Sequence, residues 1–215
     1  MPTHPMLTHP VEADELAQIQ ARYGPGPLAE QRLEVDDPFL TGPHQRLTSD
    51  GRRAEICYIM HQGDPAAGVL LHTKSIYPPG VYRLPTGGVH RGEPVLETLA
   101  REVMEETGLQ VGQGAGNVQV QAFLGVLRYQ LFHRSSRALH PFATYHFLLQ
   151  APPDPRLEPQ DPNEKIAGWK WLPSGDLWAV ADELAGVALV APEWGDWGRF
   201  RALSHRFVAQ QLSSR

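Results

Sequence analysis

The feature that most constrains this chain is the spacing of glycines and charged residues between Gly87 and Leu109. In the run GGVHRGEPVLETLAREVMEETGL, five residues separate Gly87 from Glu93, and an arginine and four more glutamates follow before Gly108. Pro94 suits the first turn of a helix, because the N–H that proline lacks would have no intrahelical partner there, and Gly108 suits the helix end. The segment therefore predicts a single helix between Pro94 and Gly108.

The predicted helix has an apolar face and an adjoining acidic face. Four apolar residues recur at helical spacing and are expected to face a core: Leu96, Leu99, Ala100 and Val103. Glu102, Glu105 and Glu106 share the acidic face, where like charges four residues apart repel and where the helix dipole disfavours anions in the last turn. A solvated acidic face is the alternative for an arbitrary run of glutamates. Broken local rules are typical of functional sites, and clustered hard oxygen donors suit Mg²⁺ or Mn²⁺.

This spacing resembles the Nudix box of the Nudix hydrolase superfamily, and it covers residues 87–109 directly. The resemblance implies that Glu102, Glu105 and Glu106 bind a divalent cation, Mg²⁺ or Mn²⁺. It also implies that the main-chain carbonyl of Thr86 is a further metal ligand. The activity it implies is hydrolysis of the pyrophosphate linkage in a nucleoside diphosphate that is joined to another group.

Other box residues are expected to support the carboxylates. By the resemblance, Arg101 and Glu93 would orient the metal ligands, and Gly87 would lie beside them. Many family members carry an acidic residue in the middle of the loop before the helix, whereas this chain has His90 followed by Arg91. The fixed pattern is intact, so the catalytic interpretation holds, with a more basic loop and with His90 expected to face solvent.

A carboxylate must accept a proton from the attacking water. Glu102 and Glu106 are the catalytic glutamates that the resemblance implies, and Arg101 is grouped with them. Family members place the general base either in the box or on a later loop, so the candidates are Glu102 first and then Glu158 or Glu164 from the acidic loop at 151–164.

Substrate contacts are harder to predict. Arg83, Arg134 and Arg137 could bind phosphates, because a guanidinium group matches phosphate oxygens with two parallel hydrogen bonds. Four aromatic residues are candidates for stacking on a base: Tyr77, Tyr82, Phe142 and Tyr145. Solvation or core packing is the alternative for each of these residues, and no subfamily signature identifies the substrate.

Composition predicts one domain with terminal additions. With 215 residues and 41% hydrophobic content, we expect an N-terminal extension at 1–50, a Nudix domain at 51–190, and a C-terminal helix at 191–215 packed on that domain. The single cysteine, Cys57, excludes an internal disulfide and is expected to be a buried structural thiol.

Charge and hydrophobicity limit the partners. The net charge is −5, and no run of Lys and Arg suits a nucleic acid polymer. No signal peptide and no stretch of 18 apolar residues is present, so we expect a cytoplasmic protein with no membrane partner. A small nucleotide-type diphosphate is the expected partner, and a homodimer is compatible with the sequence.

The order of predicted elements indicates an α/β fold. Helices are predicted near 12–21, 175–185 and 196–212, in addition to the box helix. Strands are predicted at 52–60, 68–74, 117–132, 142–150 and 166–172. A mixed sheet between helical layers follows, and the resemblance implies a Nudix-type α/β/α sandwich.

Three alternatives remain open at this point. One is an enzyme like isopentenyl-diphosphate isomerase, which shares the fold but uses a cysteine in a distinct motif, whereas the Leu84–Gly88 context resembles hydrolases. Another is a catalytically silent nucleotide-binding regulatory domain, although such domains usually lose box glutamates. The last is a purely structural acidic helix.

Overall fold

A computed structural model describes residues 10–36, 39–40, 47 and 51–214. A seven-stranded mixed sheet runs through it in the order β1-β5-β6-β2-β3-β7, with β4 paired to β2. The strands are β1 (Leu28–Val35), β2 (Arg52–His61), β3 (Val69–Lys74), β4 (Thr86–His90), β5 (Gln119–His133), β6 (Ala138–Gln150) and β7 (Ile166–Leu172). The helices are α1 (Ala13–Tyr23), α2 (Val95–Thr107), α3 (Leu177–Ala185) and α4 (Gly195–Ser213).

Each face of the sheet is covered by a pair of helices. Alternate residues of β2 point to opposite faces, so that Ile56 packs in one core with α1 and α2. Its neighbour Cys57 packs in the other core with α3 and α4. Two cores on either side of a mixed sheet form the α/β/α sandwich, and this confirms the predicted fold class.

The box helix forms where the sequence predicts it. Helix α2 begins after Pro94 and ends at Gly108, which adopts a left-handed conformation with φ of 74°. The buried apolar stripe is Val95, Leu99 and Val103, whereas Leu96 is only partly buried. The stripe is thus rotated toward Val95 because the helix also turns Glu102 and Glu106 into the protein.

Two strands were not predicted. Residues 28–35 form β1, which pairs in parallel with β5 from Leu28 opposite Val126 to Val35 opposite His133. The chain before residue 51 therefore contributes an edge strand to the same sheet. Strand β4, by contrast, lies in the glycine-rich segment that was interpreted as a loop, and it pairs antiparallel with β2. Pairing partners distant in sequence determine both strands, and neither segment has a strong local strand pattern.

The remaining expectations concern the hairpin, the cysteine and the membrane. The predicted strands 117–132 and 142–150 leave residues 133–141 between them, whereas only residues 134–137 separate β5 from β6 in the structure. Cys57 is fully buried, as predicted, and burial raises the pKa of its thiol. Within the described part of the chain, no helix combines the length and apolar character that crossing a bilayer requires. The cytoplasmic location stays a prediction.

Candidate active site

Three carboxylates converge beside the C-terminal half of α2. Glu102 and Glu106 project from the helix, and Glu164 reaches them from a short 3₁₀ turn at Pro162–Glu164. One oxygen from each lies within 4.8 Å of the others. The side chain of Asp161 caps that turn by accepting a hydrogen bond from the Asn163 amide, which fixes the approach of Glu164.

Glu105 takes a different position from the one expected. Its Oε2 accepts a hydrogen bond from Arg101 Nη1 at 2.9 Å, and it is not among the three converging carboxylates. Of the two loop glutamates named as candidate bases, only Glu164 reaches the cluster. Glu158 is largely exposed and lies 3.6 Å from Arg156 Nε.

Side chains from the sheet support Glu106. The hydroxyl of Tyr58 on β2 donates to Glu106 Oε2 at 2.6 Å. From β3, Lys74 Nζ lies 3.1 Å from Glu106 Oε1 and also pairs with Glu164. His72 Nδ1 lies 3.7 Å from the same Oε1. Sequence reasoning missed these three residues, although the two-residue spacing of His72 and Lys74 on a strand does place them on one face.

Burial raises the pKa of two of the glutamates, Glu102 and Glu106. Burial, together with the nearby charge of Glu106, raises the pKa of Glu102 to about 8, and Arg101 only partly opposes this. Burial also raises the pKa of Glu106, against the opposing charges of Lys74 and Arg83. Within the described residues, the buried Glu106 Oε1 forms an ion pair with Lys74 but accepts no hydrogen bond. Converging hard oxygen donors of this kind fit a divalent cation well.

Arg101 links the box glutamates to one another. Its Nε donates to Glu93 Oε1 at 2.8 Å, and its Nη1 donates to Glu102 Oε1 at 2.8 Å as well as to Glu105. Its Nη2 donates to the main-chain carbonyl of Gly88 at 3.1 Å. One guanidinium group therefore holds helix α2 against β4 and orients three carboxylates at once.

Two residues of β4, Thr86 and Gly87, lie next to the glutamates. A Cβ atom at Gly87 would overlap the side-chain carbons of Glu102, so only glycine permits this approach. Thr86 lines the same pocket as Glu102. Its hydroxyl accepts a hydrogen bond from Arg83 Nη1 at 3.0 Å.

A pocket of about 270 Å³ opens beside the glutamates. Its cationic lining residues are Arg52, Lys74, Arg83, Lys165 and Arg201. Its aromatic lining residues are Phe39, Tyr77 and Trp197, and the Tyr77 and Trp197 ring centroids lie 5.0 Å apart. The pocket thus combines a carboxylate cluster, an excess of cations and an aromatic wall.

Of the three arginines predicted to bind substrate, only one lies in this pocket. Arg83 is almost fully buried and lines this pocket, where its Nε donates to the Tyr77 hydroxyl at 2.8 Å. Arg134 forms an ion pair with Asp36 at 2.7 Å and lines a different depression. Arg137 is exposed in the β5–β6 turn. The structure therefore brings Arg83 to the glutamates but not Arg134 or Arg137.

Of the four aromatic residues predicted to stack on a base, only one lines the pocket. Tyr77 lines the pocket, whereas Phe142 and Tyr145 are buried in the two cores. Tyr82 is partly buried against the core of α3 and α4. The sequence did not identify Trp197, because the helical spacing of α4 indicates only core packing.

Comparison with known proteins identifies one family. A family profile described as NUDIX domain matches residues 51–193, whereas no curated protein sequence matches the chain. Among solved structures, the chain is similar to a C. elegans Ap4A hydrolase binary complex, with 17% identity, a TM-score of 0.47, and coverage of 75% of this chain and 95% of that one.

Two further solved structures show a comparable likeness. The E. coli dihydroneopterin triphosphate pyrophosphohydrolase has 17% identity and a TM-score of 0.47, with 75% of this chain and 96% of that chain covered. A NUDIX hydrolase from Nitrosomonas europaea has 18% identity and a TM-score of 0.41, with 69% and 89% covered.

Proposed function

Because the chain belongs to the NUDIX domain family, we propose that it is a Nudix hydrolase that uses Mg²⁺ or Mn²⁺ to cleave the pyrophosphate linkage of a small nucleotide-type diphosphate. The observation that carries this proposal is the convergence of Glu102, Glu106 and Glu164 within 4.8 Å, beside a pocket lined by five cationic side chains. Such a pocket suits a polyphosphate, and the glutamates suit the metal that accompanies it.

Glu102, Glu106 and Glu164 would hold the cation, with Thr86 adjacent. When bound, it would neutralise charge on the phosphates and lower the pKa of a water molecule. We assign Glu164 to the ligand set in place of Glu105, because Glu105 is held by Arg101 and does not reach the cluster.

The protein's own side chains would perform the remaining steps. Glu102 is the first candidate for the general base, because its carboxylate lines the pocket in which the attacking water would lie. Lys74 and Arg83 lie in the pocket as cations and would bind the phosphates of the pyrophosphate group. Tyr77 and Trp197 offer flat surfaces on which a base would stack.

Two alternatives receive less support. The isomerase alternative requires a catalytic cysteine, and the single cysteine, Cys57, is fully buried in the core under α3 and α4. The silent regulator alternative is disfavoured because every box glutamate is retained and because Arg101 still orients three of them.

The first experiment is a hydrolysis screen over nucleoside triphosphates, nucleotide sugars, ADP-ribose, dinucleotides and coenzyme A. We expect turnover with Mg²⁺ or Mn²⁺, loss of turnover in excess EDTA, and recovery on adding metal back, because the cation would neutralise phosphate charge and lower the pKa of the attacking water. Full turnover in EDTA, with metal contamination ruled out, would exclude the metal-dependent mechanism.

The two loop glutamates provide a matched test of the ligand set. Glu164→Gln should lower kcat on the order of 10²-fold, because it removes a carboxylate that touches the reacting site. Glu158→Gln changes a charge six residues away on an exposed part of the same loop, so its kcat should stay within about twofold of wild type, as for surface changes generally. Equal kcat values for the two variants, measured at saturating metal, would remove Glu164 from the site.

A further inference from the structure

Arg201 reaches the pocket from a helix that lies outside the matched family domain. Helix α4 spans Gly195–Ser213, beyond the matched residues 51–193. Arg201 and Trp197 lie four residues apart on one face of α4, and both line the pocket beside Glu102. The C-terminal helix therefore supplies a cation and an aromatic wall to the candidate active site.

The guanidinium group of Arg201 is fixed in place by a buried carboxylate. Its Nη1 donates to both oxygens of Glu55 on β2, each at 2.8 Å. Glu55 is 3% exposed and also accepts a hydrogen bond from the Thr144 hydroxyl at 2.9 Å. A group held this way is preorganised, so little conformational entropy would be lost when it binds a ligand.

This ion pair leaves most of the guanidinium donors unused. Arginine has five N–H donors, and both contacts to Glu55 come from Nη1. The Nε atom is buried and has no hydrogen-bond partner among the described residues. The guanidinium hydrogen bonds of Arg201 to the described residues all come from Nη1. Anchoring α4 to the sheet uses Nη1, and Nη2 is left for an anion in the pocket.

A second buried cation in the pocket, Arg83, differs from Arg201 in having no carboxylate among its hydrogen-bond partners in the described residues. Arg83 is 3% exposed, and its hydrogen bonds go to neutral oxygens of Tyr77, Leu84 and Thr86. Within the described ranges it forms no ion pair. A buried charge without a directly paired carboxylate is costly, so Arg83, together with the incompletely used guanidinium of Arg201 in the same pocket, indicates a site built for an anion.

We propose that Arg201 binds a phosphate group of the substrate, together with Arg83, on the side of the pocket formed by α4. The inference rests on the proposed function for the identity of the ligand, because a diphosphate places a second phosphate beside the one nearest the glutamates. The planar guanidinium would direct its free N–H groups at phosphate oxygens, a geometry that a lysine ammonium does not reproduce.

The test measures anion binding separately from turnover. Inorganic pyrophosphate is titrated into the full-length protein by calorimetry in excess EDTA, so that neither metal nor hydrolysis contributes. Arg201→Gln should weaken binding about tenfold or more, in line with the loss of a charged hydrogen bond. Arg201→Lys should recover part of the affinity. The control is Arg206→Gln, which removes an exposed charge of the same helix that pairs with Asp182, and it should bind as wild type does.

A double variant separates ligand binding from anchoring. Glu55→Gln with Arg201→Gln removes both buried charges, so the helix is no longer destabilised by an unpaired Glu55. If Arg201 binds phosphate, this variant should bind pyrophosphate as weakly as Arg201→Gln, and its KM for the best substrate should rise more than its kcat falls. It also serves in place of Arg201→Gln if that variant does not fold.

Several results would overturn the proposal. They are wild-type affinity in Arg201→Gln, recovery of wild-type affinity in the double variant, or no pyrophosphate binding by the wild type. Weakened binding in the variants, combined with no hydrolysis of any substrate by the wild type, would instead reject the proposed function and leave the anion site standing.

Discussion

At the scale of single residues, Gly87 shows how closely β4 and α2 approach. Its missing Cβ leaves room for the side chain of Glu102, which projects from the facing helix. The atoms that an added methyl group would meet belong to a side chain and not to the backbone, so Glu102 would move while the fold stays intact. A glycine identified from spacing alone thus has a steric reason to be there.

We therefore expect Gly87→Ala to fold but to lose activity. Displacing Glu102 by about 1 Å should lower kcat on the order of 10²-fold. Gly116→Ala is the matched control, because nothing lies within 4 Å of its added Cβ, and it should keep wild-type kinetics. Steady-state assays with the best substrate, alongside thermal melts, check the pair. A Gly87→Ala enzyme with normal kcat would mean that Glu102 need not occupy this position.

At the scale of elements, α4 is the part of the chain that joins the pocket to the sheet. Besides Arg201, it carries His205, whose Nε2 accepts a hydrogen bond from the Leu84 amide at 3.0 Å. The His205 Nδ1 then donates to the Arg201 carbonyl at 2.8 Å. The histidine thereby connects one turn of α4 to the segment that leads into β4 and the box.

We expect His205→Ala to destabilise the protein by about 1–3 kcal/mol, because a buried amide N–H would lose its acceptor. Arg206→Ala, on the next position of the helix, breaks only an exposed ion pair and should cost about 0–1 kcal/mol. Urea denaturation midpoints for the two variants make the comparison. Similar midpoints for the two variants would contradict a structural role for the His205 hydrogen bond.

At the scale of the whole molecule, two histidines buried between the sheet and α4 make stability depend on pH. Burial lowers the pKa of His146 and of His205 to about 3, from an ordinary value of 6.5. Below pH 6.5 the unfolded chain binds protons at these positions and the folded chain does not. Acid therefore favours unfolding, and the effect continues as pH falls toward 3.

Each histidine should cost up to about 1.4 kcal/mol of stability for each pH unit below 6.5. His146→Gln removes one of the two groups, so the free energy of unfolding of the variant should fall less between pH 7 and pH 5 than that of the wild type. Denaturant melts at pH 7, 6 and 5 in metal-free buffer measure the difference between the two proteins. Parallel pH profiles would show that His146 is protonated in the folded protein as well.

Local spacing was enough to predict helix α2 and, in its apolar stripe, Leu99 and Val103, whereas Val95 was missed. It also predicted most of the sheet, because periods of two and of about 3.6 residues are properties of neighbouring residues. Arg101 and Gly87 were identified for the same reason, since they lie in register with the glutamates. Long, strongly patterned segments such as β5 and α4 were predicted within a few residues of their observed bounds.

Only the tertiary structure decided which distant residues complete the site. Glu164 lies beside Glu102 and Glu106 because its 3₁₀ turn packs near the C-terminal half of α2. Lys74, at the end of β3, pairs with Glu106 and Glu164. Arg201, on the C-terminal helix α4, lines the pocket beside them. The same long-range contacts pair Arg134 with Asp36 instead of with the pocket. The physical reason is that such contacts depend on how strands pair and on which face each helix packs, and no local pattern in the chain specifies either.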